Sequence, residues 1–277
     1  MTHSVTPLTD SVLHTLRPRR SRSSHKGHYG HALVVGGDYG MAGAARLAGE
    51  AAARAGSGLV IVATRTVHAA VIAMARPELM CHGVDRASDL RPLLQRASVV
   101  AIGPGLGQSA WGVDLLGAVL QTRLPLVVDA DALNLLAQEP AMRDHWILTP
   151  HPAEAARLSG VTTEQVQADR PHAVQVLQQR YGGVCVLKGA GSLVCTSGSI
   201  AICDAGNPGM ASGGMGDVLT GVIVGLLAQG LSLSDAAGAG VYIHARAGDR
   251  AAAQGGGERG LLAGDLMSHI RPLVNPD

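Results

Sequence analysis

Short apolar runs recur along this chain, and most lead through a turn into a stretch of helical composition. HALVVGG (31–37) leads to AGAARLAGEAAARAG (42–56), and GLVIVAT (58–64) leads to TVHAAVIAMA (66–75). RASVVAIG (96–103), PLVVDA (125–130) and WILT (146–149) continue the series, with helical stretches between them. Apolar runs without polar alternation suit strands buried on both faces, and strands that alternate with helices imply a parallel sheet covered on both sides. After residue 182 the rhythm changes. GVCVLKG (183–189), SLVCTS (192–197) and SIAICD (199–204) follow at short spacing, with GAGS and SG at the breaks, as in hairpins. Helices are expected at 214–230, 233–253 and about 260–271. The pattern predicts an α/β fold with a mostly parallel central sheet and antiparallel edge strands.

Composition narrows the class. Of 277 residues, 47% are apolar, which is ample for a core. Phe is absent and aromatics reach only 2%, so that core must use Ala, Val, Leu, Ile and Met. The formal net charge of +1 argues against a polyanion-binding surface. The basic cluster RPRRSRSSHK (17–26) has no interleaved aromatics to stack bases, so it reads as part of a flexible leader over 1–25. The remaining 26–277 shows no repeat, linker or boundary and reads as one domain. Cys81, Cys185, Cys195 and Cys203 form no CxxC pair, so a zinc site is not expected. No secretory h-region opens the chain, and no uncharged run reaches the roughly 18–20 residues of a membrane span. The expectation is a cytoplasmic protein with neither nucleic acid nor membrane as partner.

Six stretches carry chemistry, each with a plainer alternative. GGDYGMAGAA (36–45) follows a strand and opens a helix, where backbone N–H groups meet anions. It does not match the GxGxxG register, and Thr64 and Arg65 stand where a dinucleotide site would place an acid, so a Rossmann site is disfavoured. Tight strand–helix packing is the alternative. IGPGLGQS (102–109) also follows a strand, with Gly103, Gly105 and Gly107 around Pro104; a plain loop is the alternative. Both turns should lie at the carboxyl edge of the sheet, where ligands bind in open α/β folds.

In VVDADALNLL (127–136), Asp131 reads as a helix N-cap. Asp129 at a strand end suggests a supporting or metal-related role. LTPHPAEAARL (148–158) places His151 in a stiff turn, either structural or facing substrate, and HPAE does not match the zinc-protease motif. VLKGAGS (186–192) offers the Lys188 charge beside exposed amides, which suits phosphate; an exposed lysine in a turn is the alternative. NPGMASGGMGDVLTG (207–221) puts glycine amides at a helix start with Asp217 in the first turn. Charge–dipole stabilisation explains the acid alone but not the glycines. Together they suggest amides for a phosphoryl group and a base for the hydroxyl that attacks it.

GGMGD opening a helix resembles the anion hole and catalytic Asp of the ribokinase-like superfamily. KGHYGHALVVGGDYGMAGAA, AIGPGLG, VVDADALN, LTPHPAE, VLKGAG and NPGMASGGMGDVLTG, in that order over about 26–272, resemble the ADP-dependent (S)-NAD(P)H-hydrate dehydratases. The resemblance implies a ribokinase-like three-layer α/β/α fold. It implies ADP-dependent dehydration of the S epimer of NADHX or NADPHX, releasing AMP and phosphate, with Mg²⁺ accompanying ADP. By the family pattern Asp217 is the base. Lys188, Gly189, Ala190, Gly191, Ser192, Asn207, Gly213, Gly214, Met215 and Gly216 would hold the nucleotide. Ala44, Gly105, Gly107, His151 and Asp217 would contact the hydrated cofactor. Some family members carry an epimerase domain. This chain is too short for one and looks like the stand-alone dehydratase, expected as a homotetramer. The alternatives are a hydroxymethylpyrimidine or hydroxyethylthiazole kinase of the same superfamily, or a nucleotide sensor on the same fold.

Overall fold

In the computed structural model, which describes residues 5–16 and 20–276, the apolar runs become strands of one sheet. The strands are β1 (Val5–Pro7), β2 (His31–Val35), β3 (Leu59–Thr64), β4 (Met80–Gly83), β5 (Val99–Ile102), β6 (Leu126–Val128), β7 (Trp146–Leu148), β8 (Val184–Leu187), β9 (Ser192–Cys195) and β10 (Ile200–Cys203). The helices are α1 (Ala42–Ala55), α2 (Thr66–Ala75), α3 (Ala87–Leu94), α4 (Ala110–Leu120), α5 (Ala130–Gln138), α6 (Pro152–Ser159), α7 (Thr163–Ala168), α8 (Arg170–Tyr181), α9 (Met215–Ala228), α10 (Leu233–Gln254) and α11 (Met267–Leu273). Across the sheet the order is β1-β10-β9-β8-β7-β6-β5-β2-β3-β4.

The reversal of direction lies inside the edge. Only β9 runs against its neighbours; β10 turns back, and β1 joins it in parallel. Successive residues of a strand enter opposite cores, which is why these strands lack polar alternation. In β2, Ala32 and Val34 face one core and Leu33 and Val35 the other. Helices α1, α9, α10 and α11 cover the first face, and α3 to α8 cover the second. Three layers result.

The small residues have a packing role. Helices α1 and α9 cross closely, because a Cβ on Gly221 would stand 2.2 Å from the Ala48 carbonyl oxygen. One on Gly225 would stand 2.6 Å from that of Ala52. Larger residues would part the helices and shift the start of α9.

Two strands have weak local signals. β4 is a half-buried edge strand, and β1 contains a proline, tolerated at an edge. β1 also corrects the expected leader. Val5–Pro7 pairs with β10, the Leu8 N–H donates to the Ile202 carbonyl at 2.7 Å, and Leu13 is buried. Arg17 to Arg19 of the basic cluster lie outside the described residues. Arg20 does not form a free arm: it lies over the Tyr29 ring at 3.6 Å and donates to Gln229 Oε1 at 2.7 Å. Among the described residues no helix is long and apolar enough to cross a membrane.

Candidate active site

The strand order turns at β2, which lies between β5 and β3. The turns after β2 and β5 therefore lie side by side at the carboxyl edge. They are joined by backbone bonds: Gly37 N–H donates to the Pro104 carbonyl at 3.0 Å, and Asp38 N–H to that of Gly105 at 2.6 Å. Gly36 is required there, since a Cβ would stand 2.0 Å from the Pro104 oxygen. The same contact brings Ala44 and Gly105 together: a Cβ on Gly105 would lie 3.1 Å from that of Ala44. The second turn offers few free glycine amides. Gly103 N–H donates to Val35, and Gly107 N–H to Asp131 Oδ2 at 2.9 Å, which leaves Gly105. This corrects the reading of Asp131. Asp129 holds the N-cap position of α5 without a side-chain capping bond, and Asp131 secures the neighbouring turn.

Asp129 is the buried hub, 1% exposed. Lys188 Nζ donates to its Oδ1 at 2.6 Å, and the Thr220 hydroxyl donates to its Oδ2 at 2.8 Å. Ala130, next along, is the one non-glycine among the described residues with positive φ, at +47°. Such backbone strain is tolerated where surrounding contacts hold it. Lys188 also lies 3.8 Å from Glu154 Oε2. Burial alone would weaken the lysine's hold on its proton, but Asp129 and then Glu154 outweigh it, and the group stays charged. Thus Lys188 is not the exposed turn lysine that was the plainer alternative. Its Nζ is 3.3 Å from where a Gly216 Cβ would be, so lysine and glycine turn meet.

Asp217 is different. It makes no hydrogen bond or ion pair among the described residues. Burial pushes its carboxyl up to about 7; the Asp129 charge adds to this, and Lys188 opposes it. The residue stands in the first turn of α9, whose leading N–H groups have no intrahelical acceptor. Gly213 and Gly214 N–H also find no acceptor among the described residues. A lone carboxyl thus borders a cluster of free donors. Met215 is buried and can present only backbone.

The other turns are held from behind. His151 caps α6: its Nδ1 accepts from Ala153 N–H at 3.1 Å and Glu154 N–H at 3.4 Å. Burial and then Lys188 lower its proton affinity, so the neutral ring carries its proton on Nε2. Arg170 donates to the Leu187, Lys188 and Gly191 carbonyls at 3.3, 3.4 and 3.2 Å, drawing them away from the turn amides. Ala190 and Gly191 N–H remain without acceptors among the described residues. Gly189 N–H faces the Ser192 hydroxyl at 3.3 Å. Asn207 has both ends engaged: Oδ1 accepts from Gly209 N–H at 3.0 Å, and Nδ2 donates to Asp249 at 3.2 Å. Asp249 also accepts from Gly206 N–H at 3.1 Å, so α10 carries the loop before the glycine turn.

Arg170, Asp249, Glu154 and Thr220 escaped the sequence reading. Only Glu154 had a local signal, as the third residue after His151 in a capping box. Among the described residues no three His, Cys, Asp or Glu side chains group to hold a metal ion. The Asp129 and Glu154 carboxylates are occupied by Lys188. A resident metal does not fit these residues.

The sequence profile of the NAD(P)H-hydrate dehydratase family matches residues 32–272. A bifunctional NAD(P)H-hydrate repair enzyme from Coxiella burnetii is 61% identical over 262 residues, covering 94% of this chain and 54% of that protein. The chain spans about half the length of the bifunctional relatives it matches. An ADP-dependent (S)-NAD(P)H-hydrate dehydratase from Neisseria meningitidis is 42% identical, covering 92% of this chain and 88% of that protein. The solved ADP/ATP-dependent NAD(P)H-hydrate dehydratase from Bacillus subtilis, co-crystallised with ATP/Mg²⁺, superposes with a TM-score of 0.83. It is 29% identical, with 97% of each chain covered. The ribokinase-like three-layer fold expected from the resemblance is borne out.

Proposed function

This chain belongs to the NAD(P)H-hydrate dehydratase family, and we propose that it dehydrates the S epimer of NADHX and NADPHX at the expense of ADP. The observation that carries the reading is Asp217, an unpaired carboxyl held at about 7 beside free amides. A base with that affinity exists in both forms near neutral pH, as proton transfer requires.

Asp217 takes the proton from the hydroxyl on the reduced nicotinamide ring, and that oxygen attacks the terminal phosphoryl of ADP. The bond to AMP breaks as the new P–O bond forms. The amides at 213–216 stabilise the charge that develops on the phosphoryl oxygens. The ring nitrogen's electron pair then expels phosphate, and the adjacent ring carbon loses a proton. The products are NAD(P)H, AMP and phosphate. A kinase-like site thus achieves net loss of water, because phosphate leaves far more readily than hydroxide.

In this reading Lys188 to Ser192, Asn207 and Gly213 to Gly216 form the nucleotide side. Lys188 positions Asp129 and Gly216 and lends its charge, while the Ala190 and Gly191 amides meet phosphate directly. Asn207 contributes by shaping the loop. Ala44, Gly105 and His151 form the dinucleotide side, with the His151 ring held between the α6 amides and Glu154 Oε1, 3.4 Å from its Nε2. The Gly107 N–H is held by Asp131 and acts through the shape of its turn. Mg²⁺ would arrive with the nucleotide. A homotetramer in the cytoplasm belongs to the same reading.

The test is incubation of the protein with ADP and NADHX. Recovery of the dihydronicotinamide absorbance, matched mole for mole by AMP and phosphate, is expected. Formation of a stable phosphorylated pyrimidine or thiazole alcohol, with no NADH from NADHX, would overturn the reading in favour of the kinase.

A further inference from the structure

We propose that Tyr39 is the stacking platform for the adenine of the dinucleotide substrate; this rests on the dehydratase reading above. That reading takes the hydrated nicotinamide to Asp217 and the ADP to the turns around Lys188 and Gly213. The substrate's own adenosine must then leave the reaction centre in another direction along the carboxyl edge.

The start of α1 lies in that direction. A Cβ on Gly214 would stand 2.6 Å from Leu47 Cδ1, so the second turn of α1 lies beside the glycine turn. Earlier in α1, Ala44 and the preceding Met41 lie against Gly105. Ala42 and Gly43 N–H, at the start of the helix, have no acceptor among the described residues. Immediately before them, in the turn after β2, stands Tyr39.

Tyr39 is 64% exposed, whereas Tyr29 and Tyr242 are half-buried and Tyr181, Trp111 and Trp146 are buried. In a chain with four Tyr, two Trp and no Phe, a solvent-facing ring at this edge is conspicuous. It is also braced. The Arg65 guanidinium lies over the ring at 4.6 Å and over Trp111 at 4.3 Å. Arg65 is fixed by Asp38 Oδ1 at 2.7 Å, and Asp38 is itself buried. His68 meets the ring edge-on at 6.1 Å, and its Nδ1 is 3.0 Å from the Gly37 carbonyl. A ring held this way loses little freedom when a base stacks on it. Because Arg65 is neutralised by Asp38, the platform recognises the base face rather than an added phosphate charge.

Kinetics on Tyr39→Ala and Tyr39→Trp, with two substrates, test this. The first substrate is NADHX, and the second is hydrated reduced nicotinamide mononucleotide, which has the reacting ring and no adenosine. For NADHX, Tyr39→Ala should raise KM about tenfold, the effect of losing one base–aromatic stack. It should leave kcat and the KM for ADP unchanged, since the interaction is uniform through the reaction. Tyr39→Trp should restore the wild-type KM. On the mononucleotide, Tyr39→Ala should match the wild type. A KM for NADHX within about twofold of wild type, or an equal loss on both substrates, overturns the platform while leaving the dehydratase reading intact. A wild-type protein that forms no NADH from NADHX overturns both.

Discussion

Replacing Asp217 by Asn keeps the shape of the side chain and removes its charge. The carboxyl titrates at about 7, against 3.8 for a free aspartate. Below pH 3.8 the group is neutral in both the folded and the unfolded chain, so it does not affect stability. Between those values the unfolded chain ionises first, so unfolding releases a proton and stability falls as pH rises. Above pH 7 the penalty is complete. At about 1.36 kcal/mol per pH unit its ceiling is about 4 kcal/mol. The residue is only half-buried, and solvent screening brings this to about 2 kcal/mol. Asp217→Asn should therefore melt about 5 °C above the wild type near pH 8, with the gap narrowing to nothing near pH 4. Calorimetry across that range measures it. The variant should also lose roughly a thousandfold in kcat while retaining ADP binding, and wild-type kcat/KM should rise with pH around a midpoint of about 7. A variant as active as the wild type would refute the base assignment. A melting difference independent of pH would refute the account of the buried charge.

Two further substitutions probe the supporting residues. Lys188→Met leaves the Asp129 and Glu154 carboxylates, 1% and 6% exposed, without their cation. A loss of about 3–5 kcal/mol in urea unfolding is expected, partly recovered by adding Asp129→Asn; an unchanged midpoint would show that the cluster does not depend on the lysine. Asp249→Ala frees Gly206 N–H and Asn207 Nδ2, two bonds of about 1 kcal/mol each. The KM for ADP should rise about tenfold with that for NADHX unchanged, and no change in either would show that α10 does not hold the loop.

Much of the fold was legible because its signals are local. GLVIVAT and TVHAAVIAMA announced β3 and α2 through apolar runs and turn residues that need only their neighbours. The glycine turns were legible for the same reason, since each follows a strand and opens a helix. β1 was not, because VTP gains its partner from β10 nearly two hundred residues away. Asp131 was misplaced because an acid at a helix start looks like a cap whether or not a foreign amide is waiting for it.

The alternation of strands and helices, the carboxyl-edge turns and the place of Asp217 at a glycine-rich helix start can all be read along the chain. These follow from backbone preferences and side-chain periodicity over a few residues. That Asp129 meets Lys188 across 59 residues and Thr220 across 91, leaving Asp217 unpaired, depends on the three-dimensional packing. Strand order sets those distances, and burial then sets the charge. Asp129 is held by a lysine and a hydroxyl, whereas Asp217, denied both and close to that charge, keeps its proton until about pH 7. Two aspartates at helix starts are thereby given different environments.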